Sequence, residues 1–304
     1  MTRTISVDHL TRVEGHGGIT VTVEGNEVRK VDFDIFEGIR LFEGLVRGRT
    51  IEDVTQIVSR ICAICSTNHT VTSLHCLENA LGVRVSTQTR RLRDLAVQGA
   101  NIESHALHVF VLDLPDYMGH SSVISLAGVI PDIVKTALRL KKLGNSIQET
   151  VGGRAVHPIN HVIGGFGRVP TGDELLALRP QLQRGLEDCE RALEALRSIT
   201  IPEFAREPIR CAALVPEDEA FFFGENIDFL DGGIRTRIPV RDYRKLTSEH
   251  LVPHSHAKHS AYNGKTYMVG ALARLTLNGD RIGGLARKAW EELNFKVPTS
   301  NILM

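Results

Sequence analysis

The chain has 304 residues with 36 basic and 36 acidic side chains, so its formal charge is zero. That balance excludes nucleic-acid or membrane-surface binding by bulk positive charge, and the length allows a sizeable core without disulfide staples. Five cysteines, no secretory leader in the first residues and no apolar run long enough to span a bilayer point to a reducing compartment with reduced or metal-bound thiols, and so to a cytoplasmic location.

Residues 4–36 read as strands: Thr20 to Val23 alternate, Glu24-Gly25-Asn26 supplies a turn, and Val31 to Ile35 alternate again. From about residue 51 the period becomes helical, with Ile57, Ile61, Ile64 and Cys65 on one face. A second helix is expected over roughly 88–112, with Leu92, Leu95, Ala96 and Ile102 on its apolar stripe and Asp113-Leu114-Pro115-Asp116 as its stop. A third covers about 121–150, with Pro131 either bending it or sitting in a first turn, and Gly152-Gly153 closes it. A loop rich in Gly, Pro and His follows from Arg154 to Gly167. A fourth helix starts near Thr171 and runs to about Ser198, residues 208–245 carry short strands, and Gly283 to Leu293 is a short helix. No repeat or linker divides the chain. The expected fold is therefore one domain over 1–304, mainly α with α+β portions: a helical core with an antiparallel β element at its N-terminus.

The strongest chemical signal is Arg60-Ile61-Cys62-Ala63-Ile64-Cys65-Ser66-Thr67-Asn68-His69. Two thiols at i and i+3 can chelate one metal. The pair alone is ambiguous between half a zinc site, a redox dithiol and half of another thiolate site. Structural zinc needs four ligands, and Cys76, Cys189 and Cys211 form no second pair. A thioredoxin-like site wants a βαβ context that is missing here. His254, His256 and His259 are dense but lack a His-Glu-x-x-His frame, and read as a surface or interface segment.

Around the pair the chain resembles nickel–iron hydrogenase large subunits. The resemblance rests on Arg12-Val13-Glu14-Gly15-His16, Phe42-Glu43-Gly44, Arg60 to His69, Ser104-His105-Ala106-Leu107-His108, Gly152-Gly153-Arg154, His157-Pro158-Ile159-Asn160, Gly164-Gly165-Phe166, Tyr262-Asn263-Gly264 and Gly270-Ala271-Leu272-Ala273-Arg274, in the family's order. It runs from about residue 5 to 300 and looks most like the soluble, bidirectional, multi-subunit type. Ala63 replaces a common Gly, a mild departure. The family's second cysteine pair, expected beyond the matched region, does not occur before Met304.

The resemblance implies reversible heterolytic cleavage of H2 at a nickel–iron centre whose iron carries diatomic ligands. Cys62 is then a terminal nickel ligand and Cys65 a bridging one, with the other two thiolates coming from another polypeptide or a further segment. Glu14 is the implied first proton relay, Glu43 the ligand of a structural magnesium ion, and His69 a donor to the bridging sulfur. Arg60 holds a carboxylate or orients the segment. His157 is implied to lie near the nearest iron–sulfur cluster of a partner small subunit, because this chain has no cluster motif. NAD-reducing or flavin subunits are the further partners implied, and the chain alone is expected to be inactive. The competing reading is a scaffold related to the quinone-site subunit of respiratory complex I, which has no need of Cys62 and Cys65.

Overall fold

The computed structural model describes residues 1–207, 209–217, 222–297 and 299. Residues 208 and 218–221, inside the region expected to carry short strands, and 298 and 300–304, where the sequence resemblance ends, lie outside the described residues. The chain forms two compact units, one of residues 1–49 and 241–267, the other of 50–240 and 268–304.

In the first unit, strands β1 (Thr2–Val7), β2 (Gly17–Glu24) and β3 (Glu27–Ile35) form an antiparallel sheet in the order β1-β2-β3. The register runs from Thr2 opposite Glu24 to Val7 opposite Ile19, and from Gly17 opposite Ile35 to Glu24 opposite Glu27. The alternation at residues 20–23 and the turn at Gly25 produce this hairpin, with an irregularity between Thr22 and Val23. A short helix α1 (Leu41–Leu45) follows, and α9 (Tyr243–Thr247) returns to this unit.

The second unit is helical at its centre. Helices α2 (Ile51–Val58), α3 (Ser66–Leu81), α4 (Thr87–Leu107), α5 (Leu114–Tyr117), α6 (Val123–Ala127), α7 (Pro131–Gly152) and α8 (Gly172–Leu196) follow in sequence. The expected helix from residue 51 stops at Val58, so Arg60 to Cys65 is a turn between two helices. The helix expected over 88–112 loosens into a π-helical segment at His108–Asp113 and continues through Leu114, so the expected stop does not end it. Pro131 occupies the first turn of α7 and divides the third expected helix into α6 and α7. Thr171 and Glu174 form a capping box that starts α8.

Ala106, Phe110, Leu114, Leu126, Ala137, Leu140 and Ala192 make one core cluster, and Leu143, Ile147 and Leu178 another. Helices α4 and α7 cross with their backbones almost touching. A Cβ on Gly144 would stand 2.5 Å from the Gly99 carbonyl oxygen and 2.6 Å from the Glu103 nitrogen, so the crossing requires glycine. Strands β4 (His161–Val162) and β5 (Gly165–Phe166) make a small hairpin between α7 and α8. Strands β6 (Cys211–Val215), β7 (Asn226–Asp231) and β8 (Ile234–Pro239) form an antiparallel meander, with α10 (Ala271–Asn278) packed on it through Cys211, Ala213, Ala273 and Leu277. Helix α11 is Gly284–Glu292.

Candidate metal centre

The turn from Ser59 to Ser66 carries both thiols. Local hydrogen bonds shape it: Arg60 N–H donates to Ile57 O, Ile61 N–H to Val58 O, and Ser66 N–H to Ala63 O. Cys65 stands at the N-cap position of α3, and its backbone N–H donates to Cys62 Sγ at 3.3 Å. This brings the second cysteine's amide onto the first sulfur. Cys62 is buried and Cys65 half-buried, and all five cysteines are thiols rather than disulfides. Among the described residues no group of three His, Cys, Asp or Glu side chains could hold a metal ion by itself. Two thiols are donors suited to a soft metal ion.

His69 lies one turn along α3, with its N–H donating to Cys65 O at 3.1 Å. Its burial depresses the imidazole pKa, so the ring is neutral near pH 7. Arg60 is exposed on the turn ahead of Cys62. His157 reaches the same turn from the loop after α7: its N–H donates to Ser66 Oγ at 2.9 Å, and its Nδ1 lies 3.0 Å from Ser59 O. The structure thus brings together Cys62, Cys65, His69 and His157, with Arg60 beside them.

Glu14 and Glu43 belong to the first unit. Glu14 is exposed, in the turn between β1 and β2. Gly15 beside it has φ +91°, a conformation that favours glycine. Glu43 is half-exposed, with Lys258 Nζ 2.6 Å from its carboxylate and Arg40 Nε 3.9 Å away. The hydrogen bond from Lys258 holds the Glu43 carboxyl below its usual range. Lys258 also lies 3.3 Å from Glu249. Nearby, His254 Nδ1 is 3.4 Å from Asp32, and its ring packs edge-on to His259.

The polar residues beneath the cysteine turn are silent in the sequence. Thr67 Oγ1 donates to Gln148 Oε1 at 2.8 Å, Gln148 Nε2 donates to Glu103 at 2.7 Å, and Lys141 Nζ lies 3.1 Å from Glu103. Thr67, Gln148 and Glu103 are all buried. Deeper still, Arg93 donates two hydrogen bonds to Glu78, at 2.7 and 2.8 Å, and one to Val162 O at 2.9 Å. Gly164 N–H donates to the same Glu78 carboxylate at 2.8 Å. The one signal that could find them is position: Glu78, Arg93, Glu103 and Gln148 fall among the apolar residues on the inward stripes of their helices. An apolar groove of about 610 Å³, lined by Val109, Leu196, Ile199, Trp290 and Leu293 among others, contains none of the expected site residues. Among the described residues no helix is long and apolar enough to cross a membrane.

Comparison with known proteins identifies the family. A family model described as nickel-dependent hydrogenase matches residues 40–129, and one described as HoxL-like matches residues 4–37. The chain is 36% identical over 288 residues to the alpha chain of sulfhydrogenase 1 of Pyrococcus furiosus, covering 94% of this chain and 67% of that protein. It is 32% identical to a chain of the vhu F420-non-reducing hydrogenase of Methanocaldococcus jannaschii, covering 90% and 70% respectively. The fold matches a crystal structure of an NAD+-reducing [NiFe]-hydrogenase in the H2-reduced state with a TM-score of 0.88 at 24% identity, over 99% of this chain and 72% of that one. The chain belongs to the nickel-dependent hydrogenase large-subunit family, oxidoreductases of hydrogen metabolism.

Proposed function

We propose that this chain supplies two of the four thiolates of a nickel–iron centre, Cys62 as a terminal nickel ligand and Cys65 as a bridge to iron, in an enzyme that reversibly splits H2 into protons and electrons. The observation that carries the reading is the Cys65 N–H aimed at the sulfur of buried Cys62. When bound, such a centre, with diatomic ligands on its iron, supplies the soft, electron-rich acceptor that heterolytic cleavage of H2 needs.

Glu14 is the proposed first acceptor of the proton, passing it outward. Neutral His69 orients and tunes the bridging sulfur, and Arg60 is an orienting cation on the same turn. Nδ1 of His157 faces a carbonyl, which can only accept. The ring is therefore protonated at Nδ1, and in its neutral form Nε2 is the other nitrogen, assigned to the side of a partner small subunit's iron–sulfur cluster. Glu43 is proposed as a carboxylate ligand for magnesium, exchanging its Lys258 pair for the ion. The carrier is proposed to be NAD or a similar molecule served through further, flavin-bearing subunits, and the location to be cytoplasmic.

The test is metal analysis of the native complex. Nickel is expected together with iron in excess of it, because the partner's iron–sulfur clusters add their own iron, and C62S or C65S should each remove nickel while leaving the chain folded. Zinc alone, or full nickel retention in both variants, would overturn the assignment. Absence of both nickel and iron would instead favour the scaffold reading.

A further inference from the structure

We infer that His157 is a positioning residue for the thiol pair: it clasps the Cys62–Cys65 turn at both ends and fixes the distance between them. The inference deepens the nickel-site reading and rests on it for its purpose, although the clasp itself is a matter of geometry.

One residue makes both contacts. The His157 N–H donates to Ser66 Oγ at 2.9 Å, just after Cys65, and its ring Nδ1 lies 3.0 Å from Ser59 O, just before the cysteine turn. Ser66 is fully buried and Ser59 is 1% exposed, so neither acceptor can readily turn to water. The backbone is bent to make this possible. His157 has φ +54°, which a side-chain-bearing residue rarely adopts, and it precedes Pro158, a position that normally favours extended backbone. Such a conformation persists only where its surroundings over-determine it.

The clasp is also anchored. Ile159 N–H and Asn160 N–H both donate to Gly152 O, and the Asn160 side chain donates to Val151 O. These bonds fix the His157 loop to the C-terminal end of the long helix α7, where Val151 and Gly152 are buried. From the other side, Thr67 is tied to Gln148 on the same helix. The local turns between Ser59 and Ser66 shape the segment, and His157 sets the span across it. A nickel site needs the two sulfurs held at ligand spacing before the metal's remaining ligands arrive, and His157 provides that preorganisation.

The test uses the full, metal-free, reduced chain and follows each cysteine's alkylation by peptide mass spectrometry. Cys62 is the probe, and Cys211, fully buried in the meander, is the internal standard for global loosening. H157A loses the ring contact and strains the backbone. H157G keeps the positive φ and loses the ring. H157N tolerates the positive φ and offers an amide N–H where Nδ1–H stood, and S66A removes the other acceptor. Cys62 should react about tenfold faster in H157A, H157G and S66A, the effect of one lost buried hydrogen bond. It should stay within about twofold of the unmodified chain in H157N, with Cys211 unchanged throughout. The inference is overturned if Cys62 is unaffected in H157A and H157G, if Cys211 accelerates alongside it, or if H157N behaves like H157A. Because the assay contains no metal, it can fail while nickel analysis of the native complex succeeds, and the reverse.

Discussion

Glu78 and Arg93 offer a sharp test of how the helical core is held. Arg93 is wholly buried and Glu78 is 4% exposed, and two hydrogen bonds join them across α3 and α4. Glu78→Leu leaves a buried guanidinium without its counter-charge, which costs about 3–5 kcal/mol. Replacing both partners, as in Glu78→Leu with Arg93→Leu, removes the stranded charge. Only the Gly164 N–H and the Val162 carbonyl then lose their partners, so about 1–3 kcal/mol of destabilisation should remain. Urea unfolding at pH 7, followed by far-ultraviolet circular dichroism, measures both. A single variant within about 1 kcal/mol of the parent, or a double variant as unstable as the single, would refute the argument. The pH dependence gives a second reading. Burial pushes the Glu78 carboxyl up, but the hydrogen bonds from Arg93 and Gly164 outweigh it and hold the pKa below its ordinary value. The group therefore stabilises the fold above its unfolded pKa, and that contribution is lost as pH falls through the lower, folded value. Glu78→Leu should flatten stability below about pH 4.

His161 gives a second loss of stability with falling pH, with burial rather than hydrogen bonding as its main cause. Its ring is 1% exposed, both nitrogens lack hydrogen-bond partners among the described residues, and burial together with Arg93 lowers its pKa to about 4. Stability should be complete above about pH 6.5 and fall by about 3 kcal/mol as the pH drops towards 4, because the unfolded chain gains the proton first. His161→Leu should abolish that slope in urea midpoints taken between pH 7 and 4. Gly144→Ala should cost more than about 3 kcal/mol, because backbone atoms of α4 rather than a flexible side chain occupy the space; thermal unfolding and soluble yield report it. Gln148→Leu strands Thr67 and takes a donor from buried Glu103, at a cost of about 2–3 kcal/mol measured by the same unfolding assay.

Much of this molecule is legible in its residues. The β2–β3 hairpin follows from alternation and Gly25, α8 from its capping box, and the helical character of 88–107 and 131–152 from period. The cysteine turn reads as helix because Ile57, Ile61 and Ile64 keep helical spacing across it. The turn there is closed by i→i+3 hydrogen bonds and spanned by contacts to His157, from a segment far along the chain, and no local signal carries the latter. Helix α3 is hidden because the polar Ser66 to His69 stretch masks its start, and α10 because its eight residues fall among short elements. At the site, Cys62, Cys65 and His69 stand out by residue type and order. Ser59, Ser66, Thr67 and Gln148 do not, since serine, threonine and glutamine acquire meaning only when burial removes water as their partner.

The clasp has a consequence for how the protein is made. Ser59 and His157 are 98 positions apart, and Thr67 and Gln148 are 81 apart. At ribosomal rates of about 5–20 residues per second, roughly 5–20 seconds pass between the emergence of Ser59 and that of His157. Throughout that interval the turn has its local hydrogen bonds but neither long-range contact, so the clasp can close only once the His157 loop has been translated.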